Sequence, residues 1–178
     1  MGNYISNSIW NYSNTSYMRT WKVKKGEFRF SPLNVKMVSC STSFMFKSFI
    51  FSPETLTDPG NSQINKLFGW SLDPFNNNSI RVGWKAVHGK IQLWSYFHKD
   101  GKIWNEGQKL LYTIEVNRPV NISITKTKDS VMFNISQGES GIIELVPYDK
   151  KCSMFGWEMN PYFGGVQPAP NDMQIIEL

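Results

Sequence analysis

Alanine is nearly missing from this chain of 178 residues, in which Ala86 and Ala169 are its two occurrences. Helix surfaces draw on alanine, leucine, glutamate and lysine, but this chain is rich in asparagine, serine, phenylalanine and tryptophan. Aromatic and β-branched residues favour strands. The composition therefore predicts an all-β protein, and the length suits one domain with a substantial core.

Cysteine and histidine are also scarce. Cys40 and Cys152 belong to no C-x-x-C pair, and His88 and His98 form no H-x-H pair. Metal centres usually need closely spaced ligands of these types, so we expect no metal and no cofactor. Two cysteines in a chain of this length do not make a disulfide scaffold. Two free, mostly buried thiols are favoured, with a disulfide between them as the open alternative.

Charge of one sign is not concentrated anywhere in the sequence. Nineteen lysines and arginines oppose 14 acidic residues, a net charge of +5, and the basic residues are scattered. Nucleic-acid-binding proteins usually gather such residues on one face. Apolar runs long enough to span a membrane are missing, as is a basic-then-apolar signal segment. We therefore expect no specific nucleic-acid partner, no membrane partner and no signal peptide.

The first 22 residues are polar and follow neither a helical nor a strand period. Aromatic residues recur along them, which predicts an extended N-terminal arm over residues 1–22 that is ordered by docking on a surface. Residues 23–178 are then a single β-sandwich domain. The predicted docking residues of the arm are Tyr4, Trp10, Tyr12, Tyr17 and Trp21.

Beyond the arm, apolar and polar residues alternate in short runs separated by turn residues. Residues 79–86 alternate Ile80, Val82 and Trp84 with polar or small residues, and residues 91–98 behave alike. The D-G pair within residues 99–102 is typical of a hairpin. About eleven or twelve such runs, without significant helix, predict a two-sheet antiparallel β-sandwich of the jelly-roll type.

Two stretches resemble the paired strands of the concanavalin A-like lectin and glucanase superfamily. They are "SIRVGWKAVHGKIQLWSYFHKDGK" (79–102) and "NRPVNISITKTKDSVMFNISQG" (117–138). The closing "PYFGG" followed by "PAP" also resembles the C-terminal signature of uncharacterised sandwich proteins from gut Bacteroidota and their phages. The resemblance implies a lectin-like or glucanase-like jelly roll over about two thirds of the chain.

Catalytic motifs of that superfamily are missing. Its glucanase branch carries an E-x-D-x-x-E run that places three carboxylates on one strand face, and this chain has no such run. Its lyase branch uses a Gln-x-His strand, where this chain reads "QLW" (92–94). His98 and Glu158 form a conceivable acid–base pair, but two exposed strand residues are the favoured interpretation. We assign no catalytic residue and expect no enzyme, with a glycoside hydrolase or polysaccharide lyase as the less favoured alternative.

Aromatic residues point instead to binding, since seven tryptophans and seven tyrosines are many for this length. Sugar-binding sandwiches stack pyranose rings on exposed aromatic side chains and orient them with polar groups. Trp70, Trp84 and Trp157 are expected in the core. Calcium is the less favoured alternative to having no cofactor, because "DPFNNN" (73–78) and "PNDM" (170–173) lack a recognisable ligand spacing. Strand alternation predicts that Arg81, Trp94, Tyr96 and His98 form a solvent-facing cluster on one sheet face. The candidate ligand-binding residues are Arg81, Trp94, Tyr96, His98, Trp157 and Tyr162.

The closing segment from residue 155 has a structural interpretation as well. Pro161 ends a strand, the Gly164–Gly165 pair permits positive φ or close backbone approach, and later prolines stiffen a crossing loop. Trp157, Tyr162 and Phe163 are then expected to plug one end of the core. This folding role is favoured over a role in binding.

Two functions remain. The first is a non-enzymatic structural or decoration protein of a phage virion, present in many copies on capsid or tail and contacting other virion proteins. It is expected to be made in the host cytoplasm and to lie on the virion surface. The alternative is a lectin-like carbohydrate-binding module that recognises host or mucin glycans.

Overall fold

The computed structural model describes residues 18–28, 36–57, 63–164 and 168–178. Within these ranges no helix is long and apolar enough to cross a membrane; the helical elements found are two short 3₁₀ turns, Pro53–Leu56 and Asn105–Gly107. The strands are β1 (Arg19–Val23), β2 (Met37–Ser39), β3 (Phe44–Phe51), β4 (Asn65–Ser71), β5 (Ser79–Val87), β6 (Lys90–Lys99), β7 (Lys102–Ile103), β8 (Leu110–Ile114), β9 (Val120–Lys126), β10 (Ser130–Gln137), β11 (Ser140–Pro147), β12 (Phe155–Met159) and β13 (Met173–Glu177).

These strands form two antiparallel sheets that pack face to face. The six-stranded sheet has the order β1-β13-β3-β9-β10-β11, and the seven-stranded sheet has the order β2-β12-β4-β5-β6-β7, with β8 also paired to β6. The predicted two-sheet antiparallel β-sandwich is therefore confirmed.

Alternation along β5 and β6 gives each strand one core face and one outer face. Ile80, Val82 and Trp84 are buried between the sheets, as is Trp70 on β4. The intervening residues of β5 and β6 lie on the outer face of the seven-stranded sheet. The predicted core positions of Trp70 and Trp84 are confirmed, whereas Trp157 is half-buried and is not a core residue. The largest fully buried side chains include Trp21, Trp70, Trp84, Tyr148, Phe49, Phe51, Phe68, Phe97, Phe133 and Phe163.

Residues 36–51 contribute to both sheets, although apolar and polar residues alternate along the whole run as they would in one long strand. β2 pairs with β12 in the seven-stranded sheet, whereas β3 pairs with β9 and β13 in the other. A tight turn separates them, in which the Thr42 amide donates to the Ser39 carbonyl (2.9 Å). Alternation persists through this turn, so the pattern alone does not reveal the change of sheet.

Cys40 and Cys152 are joined by a disulfide bond, and their Cα atoms are 5.3 Å apart. The prediction of two free, mostly buried thiols is therefore wrong; Cys40 is exposed and Cys152 is half-buried. Cys40 follows β2 and Cys152 precedes β12, which are hydrogen-bonded neighbours. This pairing of strands brings together two cysteines that are 112 positions apart.

The segment predicted as an arm needs correction at its end. Residues 19–23 form β1, which pairs along its length with β13 from Arg19 opposite Glu177 to Val23 opposite Met173. Trp21 is fully buried in the core, so its assignment as a docking residue is wrong. The other four, Tyr4, Trp10, Tyr12 and Tyr17, lie outside the described residues, and their docking role stays a prediction.

A buried ion network crosses between the two sheets. The Lys47 Nζ atom on β3 lies 2.7 Å from Glu158 Oε1 on β12 and 2.7 Å from Glu177 Oε1 on β13. Trp21 Nε1 also donates to Glu177 Oε2 at 2.8 Å. Burial acts to raise the pKa of Glu158, but the hydrogen bonds and charges of Lys47 and of Lys36, whose Nζ atom lies 3.5 Å from Glu158 Oε2, outweigh it and lower that pKa. The three ionised side chains of the network, Lys47, Glu158 and Glu177, line an open groove of about 700 Å³.

Candidate functional site

The hairpin of β5 and β6 brings the main predicted binding residues together. In its register Arg81 lies opposite Tyr96, and Trp94 and His98 follow on the same face of β6 at alternate positions. His88 and Gly89 close this hairpin with φ values of 49° and 71°, a turn geometry that matches the twist of paired strands. The predicted clustering of these four side chains on one sheet face is what the register produces.

The cluster is less open to solvent than the sequence suggested. Tyr96 is 3% exposed and Arg81 is 8% exposed, so the expectation that they face solvent is wrong. Trp94 and His98 are half-buried. The cover comes from a loop over residues 73–78 and from the segment that follows β12, neither of which is adjacent to β6 in sequence.

The loop over residues 73–78 is held in one conformation by its first residue. The Asp73 carboxylate accepts the backbone N–H groups of Phe75, Asn77 and Asn78 at 2.7–3.0 Å. Asn76, which has a φ of 57°, then points its side-chain amide and its backbone carbonyl towards the binding residues on β5 and β6. Both oxygens of Asp73 are thereby engaged by the chain itself.

Asn76 binds two members of the cluster directly. Its side-chain Oδ1 accepts a hydrogen bond from Arg81 Nη2 at 2.8 Å. Its carbonyl lies 3.3 Å from His98 Nδ1, which donates to it. This assignment leaves His98 Nε2 as an acceptor 3.5 Å from the Tyr96 hydroxyl. The loop therefore fixes the orientation of both Arg81 and His98.

Lys66 was not predicted but occupies the middle of the site. A bulge in β4 between Lys66 and Phe68 places Lys66 opposite Gly83, on the outer face. Its Nζ atom lies 4.9 Å from the Tyr96 ring centroid and 5.9 Å from that of Tyr162. We call Lys66, Arg81, Trp94, Tyr96, His98 and Tyr162 the Lys66–Arg81 cluster.

Tyr162 reaches this cluster because the chain after β12 pairs with the start of β4. The backbones of Lys66 and Tyr162 exchange two hydrogen bonds of 2.9 Å. Gly164 donates to Asn65 Oδ1 at 3.0 Å, and a Cβ atom on Gly164 would lie 2.3 Å from Lys66 Nζ. The chain therefore approaches Lys66 closely at Gly164, where a side chain would displace the ammonium group; close approach is one of the two roles predicted for the glycine pair.

The electrostatics of the cluster follow from burial and from two neighbouring cations. Burial, reinforced by the positive charge of Arg81, lowers the pKa of Lys66 to about 8. Burial and the same charges lower the pKa of His98, although its bond to Asn76 opposes this. Burial raises the pKa of Tyr96, partly offset by Arg81. Near neutral pH, Lys66 and Arg81 are therefore cationic and His98 is neutral.

Trp94 is the half-buried aromatic residue next to this charged centre. Lys85 Nζ lies 4.5 Å from its ring centroid, a cation–π contact. The indole Nε1 is buried and finds no hydrogen-bond partner among the described residues. Trp94 thus presents an apolar ring flanked by a cation, beside the polar groups of the cluster.

Trp157 joins the site through the loop. On β12 its Nε1 donates to the Pro74 carbonyl at 3.0 Å, and its ring contacts Phe155 edge to face. Phe75, next to Pro74, is 83% exposed. Of the three residues expected to plug the core, Phe163 is buried, whereas Trp157 is half-buried and Tyr162 is 37% exposed on the outer side.

Three contributors were missed by reasoning from sequence: Lys66, Asn76 and Lys85. Lys85 lies four residues after Arg81 on the same strand and therefore on the same face, so alternation could have identified it as a residue of the site. Asn76 lies in a turn, but nothing in the sequence of that turn shows which side chain points at the sheet. Lys66 depends on the bulge, which breaks the period-two pattern used to assign faces.

His98 and Glu158 do not form an acid–base pair. Glu158 lies opposite Trp70 in the register and shares its core side, where it binds Lys47. His98 lies on the outer face with Asn76 and Tyr96. In the described part of the chain, no three His, Cys, Asp or Glu side chains are placed to hold a metal ion.

No protein-family model matches the chain, and no curated protein matches it. Its fold is similar to that of a functionally unknown protein from Saccharomyces cerevisiae, with 11% identity over 90% of this chain and 84% of that chain and a TM-score of 0.56. It is more distantly similar to the carbohydrate-binding module CBM66 from Bacillus subtilis, with 10% identity over 87% and 91% and a TM-score of 0.38. A third similar structure is the CBM2 module of the evolved Dit of Lactobacillus casei BL23 phage J-1, with 14% identity over 86% and 80% and a TM-score of 0.43. At these identities the likeness concerns the β-sandwich fold alone.

Proposed function

We propose that the protein is a non-enzymatic carbohydrate-binding protein and that the Lys66–Arg81 cluster is its ligand site. The observation that carries this proposal is the placement of Trp94 beside Arg81 and Tyr96 on two fully paired strands. An apolar ring next to oriented hydrogen-bond donors is the arrangement that sugar rings require. The site is lectin-like in this sense, and host or mucin glycans are the candidate ligands.

The rigidity of the site supports this proposal. Asp73 fixes the loop, and Asn76 of that loop orients Arg81 and His98, so little side-chain freedom remains to be lost when a ligand binds. A sugar stacked on Trp94 then finds the ammonium of Lys85 and the donors of the cluster within reach of its hydroxyl groups.

Isothermal titration calorimetry against a panel of host-surface and mucin glycans, with and without calcium, tests the proposal. We expect saturable binding that is independent of calcium. Trp94→Ala should weaken it about tenfold or more, since one well-placed aromatic contact is worth roughly 0.5–1.5 kcal/mol beyond its buried area. Phe44→Ala is the matched control, because Phe44 is 57% exposed on the other sheet. A flat response across the panel, or equal losses in both variants, would refute the proposal.

Catalysis is tested on the same glycans. We expect no new reducing ends and no unsaturated products after long incubation with the protein. Release of either product would assign a hydrolase or a lyase instead, and Glu158 and His98 would then need to act separately, since they lie on opposite sides of the sheet.

A place on a phage virion remains a prediction of the sequence, together with contacts to other virion proteins through the arm. Because β1 begins at Arg19, a deletion of residues 1–17 removes no residue of the described strands, whereas a deletion that extends past Met18 removes part of a paired strand. The prediction requires that this deletion prevents incorporation into particles and leaves glycan binding unchanged. Normal incorporation would refute the docking role of the arm.

A further inference from the structure

The Lys66–Arg81 cluster gathers positive charge for which the described residues supply no counter-charge. Ion pairs in this part of the chain involve seven carboxylate contacts, none of them to Lys66 or Arg81. Arg81 is 8% exposed, and its buried Nε has no hydrogen-bond partner among the described residues. The Arg81 Nη2 atom donates a hydrogen bond to the side-chain oxygen of Asn76, which is a neutral amide.

In the ion network between the two sheets, by contrast, a buried lysine is paired with carboxylates. The ammonium of Lys47, whose side chain is 11% exposed, lies 2.7 Å from each of two carboxylates. Buried charges in proteins are nearly always paired, because desolvation of an unpaired ion is unfavourable. Lys66 and Arg81, two neighbouring cations without an anion, are therefore an exception. A bound anionic ligand would supply the missing counter-charge.

We infer that the Lys66–Arg81 cluster is a subsite for an anionic substituent of a glycan, a carboxylate or a sulfate. The inference rests on the proposed function and narrows its ligand class to acidic sugars. The guanidinium of Arg81 offers a planar fork of donors that matches such oxyanions, and Lys66 adds a point charge between Tyr96 and Tyr162. The sugar ring itself extends from this subsite towards Trp94.

A neutral glycan satisfies the site less well. Its hydroxyl groups accept hydrogen bonds from Arg81 and Lys66, but they leave both charges uncompensated in a partly desolvated place. An acidic substituent neutralises part of that charge. Its binding therefore offsets the unfavourable free energy of burying the two cations, and the affinity is higher. Selectivity for the acidic form should therefore exceed what one additional neutral hydrogen bond provides.

Matched glycan pairs give the test, measured by calorimetry on the full chain. One pair is an oligogalacturonate and its methyl ester, the second is a sialylated glycan and its desialylated form, and the third is a sulfated galactan and its desulfated form. The acidic member of at least one pair should bind about tenfold or more tightly than its neutral partner. The first two pairs report a carboxylate source and the third a sulfate source.

Variants connect that preference to the site. Lys66→Met and Arg81→Gln should each reduce the preference for the acidic member, and Lys66→Met serves if the Arg81 variant does not fold. Lys90→Met is the control, since Lys90 is exposed at the start of β6 and outside the cluster. The Lys90→Met variant should show the same preference for the acidic glycan as the wild type.

The outcomes separate the inference from the proposed function. Equal binding of both members of every pair overturns the acidic subsite and leaves carbohydrate binding standing. Binding of neither member of any pair overturns both. A preference for the acidic member that survives Lys66→Met and Arg81→Gln also overturns the inference, because the anion would then bind elsewhere.

Discussion

Replacing Lys66 by methionine should stabilise the unliganded protein at neutral pH. Burial and Arg81 lower the pKa of Lys66 from 10.5 to about 8. Each pKa unit corresponds to about 1.36 kcal/mol, so the full shift equals about 3 kcal/mol of destabilisation. Water that still reaches this half-buried ammonium reduces the effect to about 1–2 kcal/mol. Losing the contacts to Tyr96 and Tyr162 subtracts part of the gain, at about 0.5 kcal/mol each.

The net gain is therefore about 0.5 kcal/mol and at most about 1 kcal/mol, which corresponds to a rise of about 1–2 °C in Tm for a domain of this size. Its pH dependence has a defined sign. Between pH 8 and 10.5 the unfolded chain holds a proton on Lys66 that the folded chain has released, so wild-type stability gains from this group as pH rises. The advantage of Lys66→Met should accordingly be largest at pH 7 and disappear by about pH 10.

Differential scanning calorimetry of both proteins at pH 7 and pH 9.5 measures this difference, with Lys90→Met as the control for removal of an exposed lysine. The groups facing Lys66 that also carry or acquire charge are Arg81, Tyr96, His98 and Tyr162, and all are present in each variant. A Lys66→Met protein that is less stable at pH 7, or whose advantage is independent of pH, would refute the description of Lys66 as a desolvated cation.

Two further predictions concern the framework. Lys47→Met should destabilise the protein by about 3–5 kcal/mol in urea unfolding, because it leaves Glu158 and Glu177 buried without their shared cation. It should also raise the pKa of Glu158, so that the loss shrinks as pH falls and that carboxylate is protonated; an unchanged urea midpoint would contradict the network. For the Cys40–Cys152 disulfide, intact mass after alkylation should show two adducts only if the protein is first reduced, and adducts without reduction would contradict the bond. Reduction should lower stability by up to about 4.7 kcal/mol, the chain-entropy value for a loop near 100 residues.

Alternation of side chains was sufficient to predict the sandwich and to place Arg81, Trp94, Tyr96 and His98 on one sheet face. Arg81 and Tyr96 share a face because each strand has a period of two, and the D-G and H-G turns fix how β5, β6 and β7 pair. Such local rules hold wherever a hairpin is regular. They also assigned Trp84 to the core correctly, since its neighbours in the pattern are Ile80 and Val82.

Burial of the site could not be predicted, because alternation assigns a face and says nothing of what packs over it. Arg81 is covered by a loop whose contact is made by Asn76, and Tyr162 arrives from the far end of the chain. The disulfide has the same origin, since only the pairing of β2 with β12 places Cys40 near Cys152. These contacts depend on which strands pair across the whole fold, and the alternation of residues within one strand contains no information about that pairing.

The pairing of β1 with β13 has a practical consequence for how the domain can be presented. Arg19 and Glu177 are cross-strand neighbours at one edge of the six-stranded sheet. Both ends of the described sandwich therefore leave from the same edge, while the Lys66–Arg81 cluster faces outward from the opposite layer. A tether attached before β1 or after β13 holds the domain without covering the cluster. A short linker between these two positions would also permit circular permutation, with new ends opened at an exposed turn such as the one between β10 and β11.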